Sequence, residues 1–166
     1  MEIAGIREIR ATLKDKTPQE LMELCLKMAK YKKENKEYLT YLLYEAGNEA
    51  SYIESVKRHI TAEFEDINRS SFYQIKKSIR KILRLVLKYI RYSKKKDTEV
   101  QLRLFFCQQL IEMKPSLKRS TVLKNIYYQQ LKVARKALEK LHEDLQYDYE
   151  IEIQEVEQAY KSRSTI

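Results

Sequence analysis

Only two glycines and two prolines punctuate the 166 residues of this chain, far below the usual shares of about 7% and 5%. A chain so poor in breakers offers few sites for tight turns or left-handed backbone, so long regular segments must carry it. Gly-rich phosphate cradles, jelly rolls and propellers are excluded. The expected fold is all-α, with seven or eight antiparallel helices forming a helical bundle or a short α-α superhelix. Hydrophobic residues make up 43% of the chain, enough for one all-helical domain over 1–166 that ends in an acidic segment, 143–166.

Helix boundaries follow from capping chemistry. Ile3, Ala4, Ile6, Ile9 and Leu13 suggest a short first helix. Thr17-Pro18-Gln19-Glu20 supplies a capping hydroxyl, a proline at the first helical position and a carboxylate three residues after the cap, which starts a helix running to about Tyr31. Tyr38, Leu39, Leu42, Leu43 and Ala46 form a third, with Gly47 expected as its left-handed cap. Ile53, Val56, Ile60, Phe64 and Ile67 recur at three and four residues and define a fourth. Ser71 with Gln74, and Thr98 with Gln101, are expected capping boxes for helices ending near Tyr92 and Met113. Beyond Pro115 a long helix is expected over about 120–146, carrying Leu123, Ile126, Tyr127, Ala134, Leu138, Leu141 and Leu145. In the last segment Tyr147, Tyr149, Ile151 and Ile153 alternate like a strand, while Tyr149, Ile153, Val156 and Tyr160 fit a helix. Helix is the reading, because no other segment offers a partner strand.

The net charge of +9 is unevenly spread. Residues 143–166 hold seven acidic side chains against Lys161 and Arg163, a balance of −5 that leaves +14 on the first 142. Between Arg69 and Lys96 lie eleven basic residues and no acidic one. At about 100° per residue, Lys77, Arg80, Lys81, Arg84, Lys88 and Arg91 share an arc of about 100°, opposite Phe72, Ile75, Ile79, Ile82, Leu83, Val86 and Ile90. Like charges at this spacing repel one another by a few tenths of a kcal/mol per pair, so a compensating charge is expected. Three sources are open: Glu63, Glu65, Asp66 or the acidic tail within the chain; a nucleic-acid backbone, with Tyr73 and Tyr92 as stacking faces; or an acidic protein or membrane surface. The competing function is a protein-interaction scaffold using a tyrosine-lined groove, since Tyr31, Tyr38, Tyr41, Tyr44 and Tyr52 cluster in the first third.

Chemistry of other kinds finds little support. Glu139 and His142 have the Glu-x-x-His spacing of a di-metal carboxylate bundle, but the only other histidine, His59, follows Val56 and supplies no second pair. His59 and Glu63, four apart, read as a boundary hydrogen-bonded pair. No Walker loop, nucleophile elbow, His-Glu-x-x-His or Cys-x-x-Cys occurs, so neither an enzyme nor a cofactor or metal is expected. Cys25 and Cys107 sit in apolar patterns and suit a reducing, cytoplasmic compartment. No run approaches the 18 or so apolar residues of a membrane span, and no signal peptide is read at the N-terminus.

The stretch Asn35-Lys36-Glu37-Tyr38-Leu39-Thr40-Tyr41-Leu42-Leu43-Tyr44-Glu45-Ala46 resembles a segment of an uncharacterised bacterial family of small all-helical proteins. The run Arg80-Lys81-Ile82-Leu83-Arg84-Leu85-Val86-Leu87-Lys88-Tyr89 adds to the resemblance, which covers about 17–113. It implies an all-α fold and carries no activity, cofactor or catalytic residue.

Overall fold

In the computed structural model, which describes residues 1–163, the chain is all-α, with eight helices and no strand among those residues. It gathers into two compact units, 1–45 and 46–166. The first holds α1 (Ile6–Lys14), α2 (Pro18–Tyr31) and α3 (Lys33–Thr40), continued by a π turn at Tyr41–Glu45. The second holds α4 (Glu49–Glu65), α5 (Phe72–Ser93), α6 (Lys96–Glu112), a 3-10 turn at Leu117–Arg119, α7 (Thr121–Leu138) and α8 (Glu143–Ser162). None of the helices among the described residues is long and apolar enough to cross a membrane.

Local chemistry accounts for most of the boundaries. Thr17 caps α2 as a reciprocal box: its hydroxyl accepts from the Glu20 amide, and the Glu20 carboxylate accepts from the Thr17 amide at 2.8 Å. Ser71 caps α5 through the Gln74 amide. At the end of α4, Arg69 takes over orphaned carbonyls by donating to the oxygens of Phe64 and Glu65, and it reaches Lys114 O as well.

Three boundaries differ from the expectations. Gly47 does not adopt a left-handed conformation, because α3 runs out through the π turn and Asn48 caps α4 directly afterwards. The left-handed residue is Lys94, at φ 60°, which turns the chain so sharply that α6 begins at Lys96. Thr98 therefore lies inside the helix rather than capping it, with its hydroxyl spent on Glu49 and the Gln101 amide turned to Asp97. The helix expected over 120–146 breaks between Leu138 and Glu143, where His142 caps α8. In α8 the residues that go inside are Tyr149, Ile153 and Val156, the helical set, while Tyr147 stays exposed.

The core of the second unit forms around α6, which packs against α4, α5, α7 and α8. Leu102, Leu104, Phe106, Cys107, Leu110 and Ile111 point in several directions and are all buried, as a helix surrounded by neighbours requires. From α4 come Tyr52, Ile53, Val56, Ile60 and Phe64, with the Phe64 ring 5.7 Å from that of Phe106. From α7, Tyr127 stacks on Tyr160 of α8 at 4.6 Å.

Two polar nodes are buried with this core. Glu49 accepts hydrogen bonds from Ser93 and from Thr98, the latter at 2.5 Å, and pairs with Lys95 at 2.9 Å. Glu99 pairs with Lys96 and Arg103, and Arg103 continues to the Gln130 side chain on α7. Burial disfavours ionisation of both carboxyls, yet the hydroxyl and cation partners outweigh it and hold each below the ordinary 4.5.

On acidification the unfolded chain takes up these two protons before the folded one does. The stability they contribute is thus complete above about pH 4.5 and is lost as pH falls through the lower folded values. Denaturant melts from pH 7 to pH 3 are expected to show that loss. Glu49→Ala should lower stability at pH 7 by about 1–3 kcal/mol, since it leaves the buried Thr98 hydroxyl without its acceptor, and should flatten the acid limb.

Candidate anion-binding face on helix α5

The buried side of α5 is a row of β-branched residues. Ile75, Ile79, Ile82, Val86 and Ile90 face the core, and this row orients the helix against α4 and α6. Everything a half-turn away must then face outward, and that arc carries the cations. Lys77, Arg80, Lys81, Arg84 and Arg91 are exposed as expected. From Lys77 to Arg91 the array extends about 21 Å at 1.5 Å per residue.

Its charges are only partly compensated. Lys81 pairs with Glu63 of α4 at 3.0 Å, so the acidic end of α4 reaches one member of the stripe. Lys77, Arg80, Arg84 and Arg91 form no ion pair among the described residues. The acidic segment lies elsewhere: α8 packs against α6 and α7, Glu150 and Glu157 pair with Arg135, and Tyr149 donates to Asp97.

The remaining predicted residues divide. Tyr73 stands exposed on the same arc, its ring open to solvent. Lys88 is half-buried, with its ammonium 5.4 Å from the centre of the Tyr89 ring, and Tyr92 is half-buried with its ring edge-on to Tyr89 at 6.2 Å. Tyr92 is thus a packing residue rather than an open stacking face, because its ring is already occupied by a neighbouring aromatic. Behind the stripe, His59 Nδ1 lies 2.7 Å from the Tyr89 hydroxyl and His59 Nε2 lies 3.8 Å from Glu63. This tie between α4 and α5 was half visible in the His59–Glu63 spacing, while Tyr89 carried no signal.

Other readings of the sequence fare differently in the fold. Glu139 and His142 fall in the turn between α7 and α8, so they do not share a helix face, and His142 accepts from the Asp144 amide instead. Among the tyrosines of the proposed groove, Tyr41 and Tyr52 are buried, and Tyr52 donates to the Tyr89 carbonyl at 2.9 Å. Cys107 is buried, which pushes its thiol pKa up strongly and makes it inert. No family model, curated protein or solved structure matches this chain.

A stripe facing solvent should tolerate substitution that the face behind it does not. Arg80→Glu and Arg84→Glu are expected to shift stability by no more than about 0.5 kcal/mol, whereas Ile79→Ala should cost about 2–5 kcal/mol. Chemical denaturation of the three variants checks the contrast.

Proposed function

We propose that this protein is a non-catalytic binding module that docks nucleic acid on the exposed face of α5. The observation that carries the reading is that Lys77, Arg80, Arg84 and Arg91 line one helix face, exposed and without an ion pair among the described residues. Aligned like charges raise the free energy of the unbound protein, and a phosphate backbone relieves that repulsion while releasing its own counterions. At about 3.4 Å per phosphate on one strand, an array of this length spans roughly six phosphates. Contacts of this kind position a strand without reading its sequence, and the exposed Tyr73 ring adds a base-stacking surface that favours single strands.

Fluorescence anisotropy of a labelled single strand and a duplex across a salt series tests this function. With five exposed cations engaged, log affinity against log salt should fall with a slope of about −4.5 on duplex and about −3.5 on single strand. The triple variant Arg80→Glu, Arg84→Glu, Arg91→Glu should lose most of the affinity and about 2.7 units of slope on duplex, or about 2 on single strand. Tyr73→Ala should weaken the single strand more than the duplex. Absence of binding at low salt by the folded wild-type protein would send the search to acidic protein partners.

A further inference from the structure

The basic stripe of α5 ends in a cleft. Where the helix gives out, the left-handed Lys94 turns the chain into α6, and between the two helices opens a cavity of about 380 Å³ that lies wholly within the second unit. Arg91, the last member of the stripe, lines it with Lys94, Lys96 and Arg103, against a single acid, Glu99. Four cations less one carboxylate leave the lining a formal balance of +3. Leu87 and Ile90 supply an apolar wall, and a wall of low dielectric strengthens the field of the charges set in it.

The acid does not neutralise the cleft. Glu99 pairs through Oε2 with Lys96 at 2.5 Å and through Oε1 with Arg103 at 2.9 Å, so two cations divide one negative charge. Arg103 is buried and fixed, donating to Glu99 through Nε and one terminal nitrogen and to Gln130 through the other. A guanidinium carries more N–H donors than these three bonds use, and the bonds already made hold the rest in place. Arg91 is exposed and forms no ion pair among the described residues. The cleft therefore offers a fixed donor group, surplus positive charge and room for an anion.

Charge density separates this site from the rest of the face. Along α5 the cations are spread out, which suits phosphodiesters with one negative charge each. The cleft gathers its cations around one opening, which suits a phosphomonoester, whose charge approaches about −2 at neutral pH. On a nucleic-acid strand that group occurs only at an end. Arg91 belongs to both sites, so a strand lying along the stripe brings its last phosphate to the cleft.

We infer that the cleft between α5 and α6 binds the terminal phosphate of a nucleic-acid strand whose backbone lies along α5. This role rests on the nucleic-acid reading of α5 and adds to it a selectivity for phosphorylated ends.

Anisotropy titrations of the full chain with three internally labelled single strands of one sequence, ending in hydroxyls, in a 5′-phosphate or in a 3′-phosphate, test it. One phosphorylated strand should bind roughly fivefold or more tightly than the hydroxyl-ended strand, and which one does so gives the strand's polarity on α5. The paired variant Lys94→Gln, Lys96→Gln, at positions whose side chains reach solvent, should bring that ratio to within about twofold of unity with helix content unchanged by circular dichroism. Arg84→Glu, on the stripe but outside the cleft, should weaken all three strands and keep the ratio. Free nucleoside monophosphate should compete roughly a hundredfold more weakly than the phosphorylated strand, since it cannot reach the stripe. Equal binding of the three strands by the wild-type protein would overturn the terminal-phosphate role and leave the nucleic-acid reading intact, whereas no binding of any strand would overturn both. A ratio that survives in the paired variant would overturn the assignment to this cleft. Competition by the mononucleotide as strong as by the strand would give the cleft to a small phosphorylated ligand instead. The wild-type comparison stands whether or not a variant folds.

Discussion

The enclosure of α6 is the constraint on which the second unit depends. A helix with neighbours on several sides gives up water along most of its length, so each polar group it carries must find a partner inside the protein. Thr98, Glu99 and Arg103 are such groups, and their needs are met by Glu49 of α4, by Lys96 within α6 and by Gln130 of α7. Apolar contacts alone would let the surrounding helices slide, since Leu, Ile and Phe fit one another in many registers. Hydrogen bonds and ion pairs of defined length remove that freedom. The polar nodes thus contribute position as much as stability.

That position decides what α5 can do. Its isoleucine row must meet α4 and α6, and this leaves the cationic arc facing water with Glu63 as the acid paired to Lys81. The acidic segment has its own apolar row, Tyr149, Ile153 and Val156, and burying it holds α8 against α6 and α7. Two segments of opposite charge in one chain attract through water with little energy, because solvent and salt screen them. Burying two apolar rows is worth several kcal/mol and dictates where the charges end up. The basic face stays exposed for that reason.

The unit over 1–45 shows the reverse situation. Its helices are well started, with a complete capping box on α2, yet the apolar side chains they display have almost nothing to bury them. Local hydrogen bonding can define where a helix begins, but helical stability in proteins comes mostly from packing an apolar face. The acid-then-base order along α2 suits the helix dipole, so its charges support the helix locally without supplying the missing burial.

Much of this architecture was readable from residue order because it arises within a turn or two of chain. The Thr17 box and the rows of α4 and α5 follow from spacing alone, as does the preference of Tyr149, Ile153 and Val156 for a helix over a strand. Where the reading missed, a distant group had intervened. Thr98 looks like a cap until Glu49 takes its hydroxyl, and Tyr92 looks like an open ring until Tyr89 stands edge-on to it. Glu139 and His142 look like one helix face until the chain breaks between them. The sequence by itself determined the helical class, the Thr17 and Ser71 caps and the two-sided character of α5, because each is set by neighbours three or four residues away. Only the tertiary structure decided which charges meet and which stay exposed, because that depends on which apolar rows find each other, and apolar burial carries no direction of its own.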